Sequence, residues 1–383
     1  TEIYTLSLHD ALPIFLKTTG VLLIAAMLAV AVNFSYLYTT YKYAKHTIRG
    51  ESELTHNEAN QTSGLDKDYV VQWSQGISET FTLMIPGFMG GSHKTNPGID
   101  SESYTALQKS GIENPRQVIR QVILYHGDKP FTSGPYYVGA IVVFLFVLGL
   151  FILKGADKWW LLAATVVSIV LSWGKYVMPL TSFLLDYLPL YNKFRAPEMT
   201  LVIAGFTIPL LGFLGLKQIL SGNTSRQEFL KAMKWSFGIT GGICLLFSVV
   251  PGLAGDFSAP FDGSYPDWLL GAVREDRGNM LRSDAFRSFV FIALTAGIIL
   301  LWHFKKLKTS YLYAGLAILI LGDLWFIDKR YLNEDHFQTK KENRDVYLPT
   351  LADTEILKDK DISYRVLPLQ NPWQDSRDRK SVV

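Results

Sequence analysis

Seven apolar runs constrain this chain more than any other feature: near Thr18 to Tyr38, Tyr136 to Leu153, Trp159 to Trp173, Met199 to Leu216, Ser236 to Ala254, Ser288 to Phe304 and Ser310 to Ile327. At 1.5 Å per residue each is roughly long enough for about 30 Å of hydrocarbon, several at the short end. Aromatic residues mark their ends: Tyr36, Tyr38 and Tyr41 close the first, Tyr136 and Tyr137 open the second, and Trp159 and Trp160 open the third, as a membrane interface requires. Composition agrees, with 49% hydrophobic and 19% charged residues, too apolar for most soluble domains. The expected fold is an all-α polytopic membrane protein with about seven transmembrane helices.

Charge sets the orientation. If the runs alternate, one side receives KGADK, Lys217 to Lys234 and KKLK, nine lysines and arginines in short loops. The other receives the 174–198 loop with three and the 255–287 loop with four. The positive-inside rule places the first set in the cytoplasm. The long 39–135 segment, the 174–198 loop and the polar tail after Asp328 are then expected to be extracytoplasmic, in a cytoplasmic (inner) membrane.

Several functional classes are disfavoured. The net charge of +3 is spread through loops, which is no nucleic-acid footprint. Cys244 is the single cysteine, and the seven histidines lack ligand spacing. No phosphate-cradling glycine loop or hydrolase motif is present, so no cofactor is readable.

The outward segments carry the informative residues. In YVVQWSQGISETFTLMIPGFMGGS, Trp73, Phe81 and Phe88 accompany Glu79 and the glycines Gly87, Gly90 and Gly91. The pattern predicts a helix lying on the membrane surface and ending in a glycine-rich turn, either a packed interfacial element or a wall of a substrate groove. The 174–198 loop presents Lys175, Lys193 and Arg195 among Tyr187, Tyr191 and Phe194, with prolines fixing its turns. A guanidinium among rings suits bidentate phosphate recognition, and anchoring to anionic lipids is the alternative. Asp186 and Glu198 add carboxylates to this loop. Asp323 lies inside an apolar run, where a charge costs about 2.5 to 3.5 kcal/mol on insertion scales, so it should face the bundle interior or the outer interface.

The stretches VVQWSQGISETFTLMIPGFMGG, FTSGPYYVGAIVVFLFVLGLFI, SWGKYVMPLTSFLLDYLPLYNKFRAPEM and DLWFIDKRYLNEDHF resemble the bacterial YfhO family of multi-pass membrane proteins, over essentially the whole chain. That family is similar in fold to the GT-C glycosyltransferases. The resemblance implies transfer of a sugar from a polyprenyl-phosphate carrier to an extracytoplasmic cell-envelope glycan or lipid acceptor, in contact with membrane lipids. It implies an early-loop carboxylate acting as base or divalent-metal ligand, and basic residues in later loops that neutralise the leaving phosphate. Arg195, Lys193 and Lys175, with Tyr191, match the second role. Trp73, Glu79, Asp186 and Glu198 are possible groove residues, but none of the carboxylates matches an early-loop catalytic motif. A non-catalytic lipid or glycan transporter and an envelope assembly protein are the competing classes.

Both ends read as foreign. Thr1 to Ile14, TEIYTLSLHDALPI, is residue for residue the translation of DNA similar to a short-read sequencing adapter, and Asp378 to Val383, DRKSVV, resembles the translated reverse complement. The expected organisation is therefore an artefact at 1–14, a transmembrane region at 15–328, the start of an outer α/β or β domain at 329–377 and a second artefact at 378–383. Phe15 to Arg377 is expected to be an internal fragment lacking the early catalytic loop, and hence inactive alone. The alternation in ISYRVLPLQNPWQDS predicts a strand in the outer domain.

Overall fold

The computed structural model describes residues 8–47, 49–50, 59–345, 348–349 and 351–358. All regular structure among them is helical. Among the described residues five helices are long and apolar enough to cross a membrane, six if one bent pair forms a single span. The chain divides into two compact units, Thr1–Leu324 and Trp325–Val383.

Helix α1 (Leu8–Val32) is followed by α2 (Phe34–Ala44). In α1 none of Phe15–Val32 is buried in the protein, and a helix apolar on every side needs apolar surroundings such as lipid. Helix α3 (Glu102–Lys109) lies in the long polar segment, its N-terminus capped by Ser101, whose side chain accepts from the Tyr104 N–H. The apolar helices are α4 (Ala140–Ile152), α5 (Ala156–Ser172), α6 (Met178–Tyr187), α7 (Leu201–Leu220), α8 (Arg226–Val249), α9 (Asp267–His303) and α10 (Thr309–Tyr331). The core of the bundle runs through Phe144, Leu145, Leu148, Phe229, Cys244, Leu281, Ile292, Ile299 and Leu312. Helices α4 and α7 approach closely because small residues meet: a Cβ on Gly149 would strike Leu211, and one on Gly215 would strike Gly149 itself.

Four boundaries depart from hydropathy, each for a local reason. The second run shortens to 13 residues, about 20 Å of helix. Gly139, at φ +110°, holds the backbone before α4 in a conformation open to glycine. The third run ends at Ser172, where the chain bends by 100° through Gly174 into α6. Helix α8 starts ten residues before its apolar run because Ser225 and Glu228 form a reciprocal capping box. Helix α9 starts at Asp267 and is 37 residues long, about 55 Å. Its first half is polar in sequence, yet Asp276, Arg277 and Asp284 are buried in the layer packed there.

The expected surface helix between Tyr69 and Ser92 forms short 3-10 turns instead, Val71–Trp73 and Ser78–Leu83. Ile85 and Phe88 are fully buried in the bundle core, so the end of this segment is embedded, while Ile77 and Phe81 before it are exposed. Three segments meet as one layer: Lys193 touches Ser63, Lys175 touches Asp128, and Arg277 touches Leu124. Three of the segments expected to share a side of the membrane, 39–135, 174–198 and 255–287, therefore meet. In the second unit the described residues hold the end of α10 and the short helices Lys340–Asp345 and Leu351–Ile356. The strand expected from Ile362 onward lies outside the described residues.

Candidate functional site

Four segments converge on one patch of this layer: 73–79, 125–131, 173–176 and 195–198. Their crossing requires glycine at position 174, where φ is +39° and a Cβ would collide with the Ser74 hydroxyl and the Pro197 ring. The Ser74 hydroxyl accepts from the Lys175 N–H at 3.0 Å, and the Gln75 N–H donates to the Ser172 carbonyl at 2.8 Å. The outer rim of the patch is strained. Ala196 sits at φ +62°, although it carries a Cβ and precedes proline, a conformation disfavoured on both counts. Its N–H donates to the Val70 carbonyl at 3.1 Å, which holds it there. Backbone strain of this kind persists only where surrounding structure enforces it, and it clusters at functional sites.

Beneath the patch lies a buried ionic cluster centred on Lys129. Its ammonium donates to Gln75 Oε1 at 2.7 Å, pairs with Glu79 Oε1 at 3.1 Å, and pairs with Glu198. Three donors meet three acceptors, so the lysine is saturated. Glu79 also accepts from the Gly76 N–H at 3.1 Å and the Tyr125 hydroxyl at 3.4 Å. Burial, and next the Glu79 carboxylate, push the Tyr125 phenol well above its ordinary range, so it remains a donor. Glu198 alone of the cluster's carboxylates is partly exposed.

Above this cluster, Arg195 is exposed and set beside two aromatic rings. Its guanidinium lies 5.0 Å from the Trp73 ring centroid and 5.6 Å from that of Tyr69, and Nη1 donates to the Tyr69 hydroxyl at 2.5 Å. Trp73 is itself fixed, donating through Nε1 to the Phe131 carbonyl at 3.1 Å and packing edge-on against the Phe131 ring. Lys175 pairs with Asp128 at 3.3 Å and is half-buried. The Tyr176 hydroxyl donates to the same carboxylate and, with Lys175, holds it below the usual range against the opposing effect of partial burial.

The other expected site residues lie elsewhere or are already engaged. The Lys193 ammonium donates to the Arg49 carbonyl at 3.0 Å and the Ser63 carbonyl at 2.5 Å, tying down the preceding segment. Tyr191 packs beside Leu65, Val70, Val71 and Leu185. Asp186 pairs with Lys67 at 2.9 Å. Asp323 is buried in the bundle, accepting from the Tyr137 hydroxyl at 2.6 Å and pairing with Arg287 at 2.9 Å. That supplies the interior partner its apolar context demands. The residues not foreseen are Lys129, Gln75, Tyr125 and Asp128. The motif GDKPF reads as turn chemistry, and nothing local shows that its lysine turns inward. Among the described residues no group of three His, Cys, Asp or Glu is arranged to hold a metal ion.

Compared with known protein families, with curated proteins and with solved structures, the chain matches none.

Proposed function

We propose that this chain belongs to a membrane glycosyltransferase of GT-C-like, inverting type, which takes a sugar from a polyprenyl-phosphate carrier. The patch around Arg195 receives the carrier phosphate on the extracytoplasmic side. The observation that carries this reading is the guanidinium itself, exposed and set over the Trp73 and Tyr69 rings, with Lys175, paired to Asp128, in the same layer. A stacked guanidinium is pre-organised for bidentate phosphate binding and loses little freedom on doing so. In the transfer, an acceptor hydroxyl oxygen bonds to the anomeric carbon and gives up its proton to water, and the bond from that carbon to the phosphate oxygen breaks. Its electron pair leaves on the phosphate, where Arg195 and Lys175 stabilise the added charge.

The Lys129 cluster serves this role from below by fixing the 73–79 and 195–198 segments. Glu79 and Glu198 are committed to Lys129, and neither is assigned as the base. Asp323 would be the intramembrane charge for a transporter. It is paired with Arg287 and bonded to Tyr137, an arrangement suited to a fixed structural contact.

Sugar transfer from polyprenyl-phosphate donors in membranes tests the reading. A protein that carries this chain is expected to transfer sugar, and Arg195→Ala to lower the rate at least tenfold. Absence of transfer would sink the enzyme reading, and equal rates would remove the phosphate assignment.

A further inference from the structure

A second concave site lies on the other side of the 128–131 turn. Lys129 and Phe131 face the Arg195 patch through Gln75 and Trp73, whereas Pro130 lines a groove of about 590 Å³. His93, Gln121, Phe261, Tyr265 and Trp268 share its walls with aliphatic side chains that include Leu107, Ile112, Val118 and Leu269. The groove is built, not incidental. Arg277, fully buried on α9, makes two hydrogen bonds to Asp262 at 2.8 and 3.0 Å and donates to the carbonyls of Ile123, Leu124 and Phe257. This locks the 257–265 loop against the 122–124 segment. The Tyr265 hydroxyl accepts from the Ile123 N–H at 2.9 Å, and Asp276 receives the N–H groups of Glu102 and Ser103 at 2.9 and 2.8 Å, fixing α3.

The lining chemistry is specific. No aspartate, glutamate, lysine or arginine lines the groove. Burial keeps the His93 imidazole below its ordinary range and hence neutral. The Thr132 N–H donates to His93 Nδ1 at 3.1 Å, so the neutral ring carries its proton on Nε2 and retains a donor there. Trp268 is 47% exposed, and its indole N–H has no protein partner among the described residues. Trp268 also stands 20 residues before Ser288, where the apolar half of α9 begins, roughly 30 Å along the helix. Lipid hydrocarbon is therefore an unsuitable occupant.

Aromatic and aliphatic faces with neutral amide, hydroxyl and imidazole edges suit a ligand with apolar C–H faces and a hydroxyl-rich rim. We propose that this groove binds an uncharged saccharide chain. Its assignment as the acceptor site rests on the transferase reading above, while saccharide binding itself does not.

The test uses the full chain in lipid nanodiscs, with cellotetraose, maltotetraose, mannotetraose and chitotetraose as probes, read by saturation-transfer NMR and by tryptophan fluorescence titration. At least one tetrasaccharide is expected to bind. Trp268→Ala and Gln121→Ala, both at exposed positions, should each weaken it at least fivefold, and Arg195→Ala should leave it within twofold. Binding by none of the four, binding unchanged in Trp268→Ala, or displacement of the saccharide by added short-chain lipid would overturn the proposal. Failure here leaves prenyl-phosphate binding at Arg195 intact, and loss of that binding leaves the groove intact, so the two readings fail separately.

Discussion

Arg277 and Arg195 are both guanidiniums beside aromatic rings in the same polar layer, yet their surroundings make them opposites. Arg277 is fully buried, and its five N–H donors make five hydrogen bonds, to both oxygens of Asp262 and to three carbonyls. Burial would raise the Asp262 carboxyl, but hydrogen bonds from Arg277 and from the Ala259 N–H hold it below its usual range. Among the described residues Arg195 makes one such bond, to Tyr69, and otherwise lies over the Trp73 ring and is exposed. A guanidinium has five donors, so Arg277 is complete within the protein whereas Arg195 keeps most of its capacity for a ligand. The first holds the structure together; the second stays open to solvent.

The largest expected effect falls on the closed region. Arg277→Met leaves Asp262 and three carbonyls without their partner, and thermal unfolding in nanodiscs should show a loss of about 3 to 5 kcal/mol. A loss below about 1 kcal/mol would break the contrast. Lys129→Met should cost about 3 kcal/mol, because it strands the Glu79 carboxylate in a buried site. Adding Glu79→Gln should recover part of that loss, and full additivity of the two penalties would argue against a shared cluster.

An acid-dependent effect of intermediate size belongs to the same region. His126 has its pKa lowered to about 4, chiefly by burial, with Arg277 contributing and the Leu124 carbonyl opposing. The unfolded chain binds this proton near pH 6.5 and the folded chain does not, so stability falls as pH drops from about 6.5 towards 4, by about 2 kcal/mol at pH 5. His126→Gln should flatten that slope in pH-dependent unfolding. The smallest effect on stability is expected at Arg195. Arg195→Ala should change it by about 1 kcal/mol or less, as for an exposed charge.

The contrast was only partly visible in sequence. The apolar runs located the helices because hydropathy acts over whole segments, and Arg195 stood out because aromatic residues surround it within one short loop. Lys129 was hidden, since its partners Gln75, Glu79 and Glu198 lie 50 or more residues away along the chain. The polar half of α9 was hidden for a related reason. Asp276 and Arg277 look solvated by composition, and only the packing of the 102–124 and 257–265 segments buries them. Glycine 174 signalled a turn, but not that Ser74 and Pro197 would press against it.

The central claim is that Arg195 is a phosphate receptor, and the most direct measurement is binding of a short polyprenyl phosphate to the chain in neutral-lipid nanodiscs, by calorimetry. The account predicts saturable binding that weakens at least tenfold in Arg195→Ala, weakens less in Arg195→Lys, and is not reproduced by the corresponding prenyl alcohol. Equal affinity of the unsubstituted chain and Arg195→Ala, or equal binding of the alcohol, would contradict it.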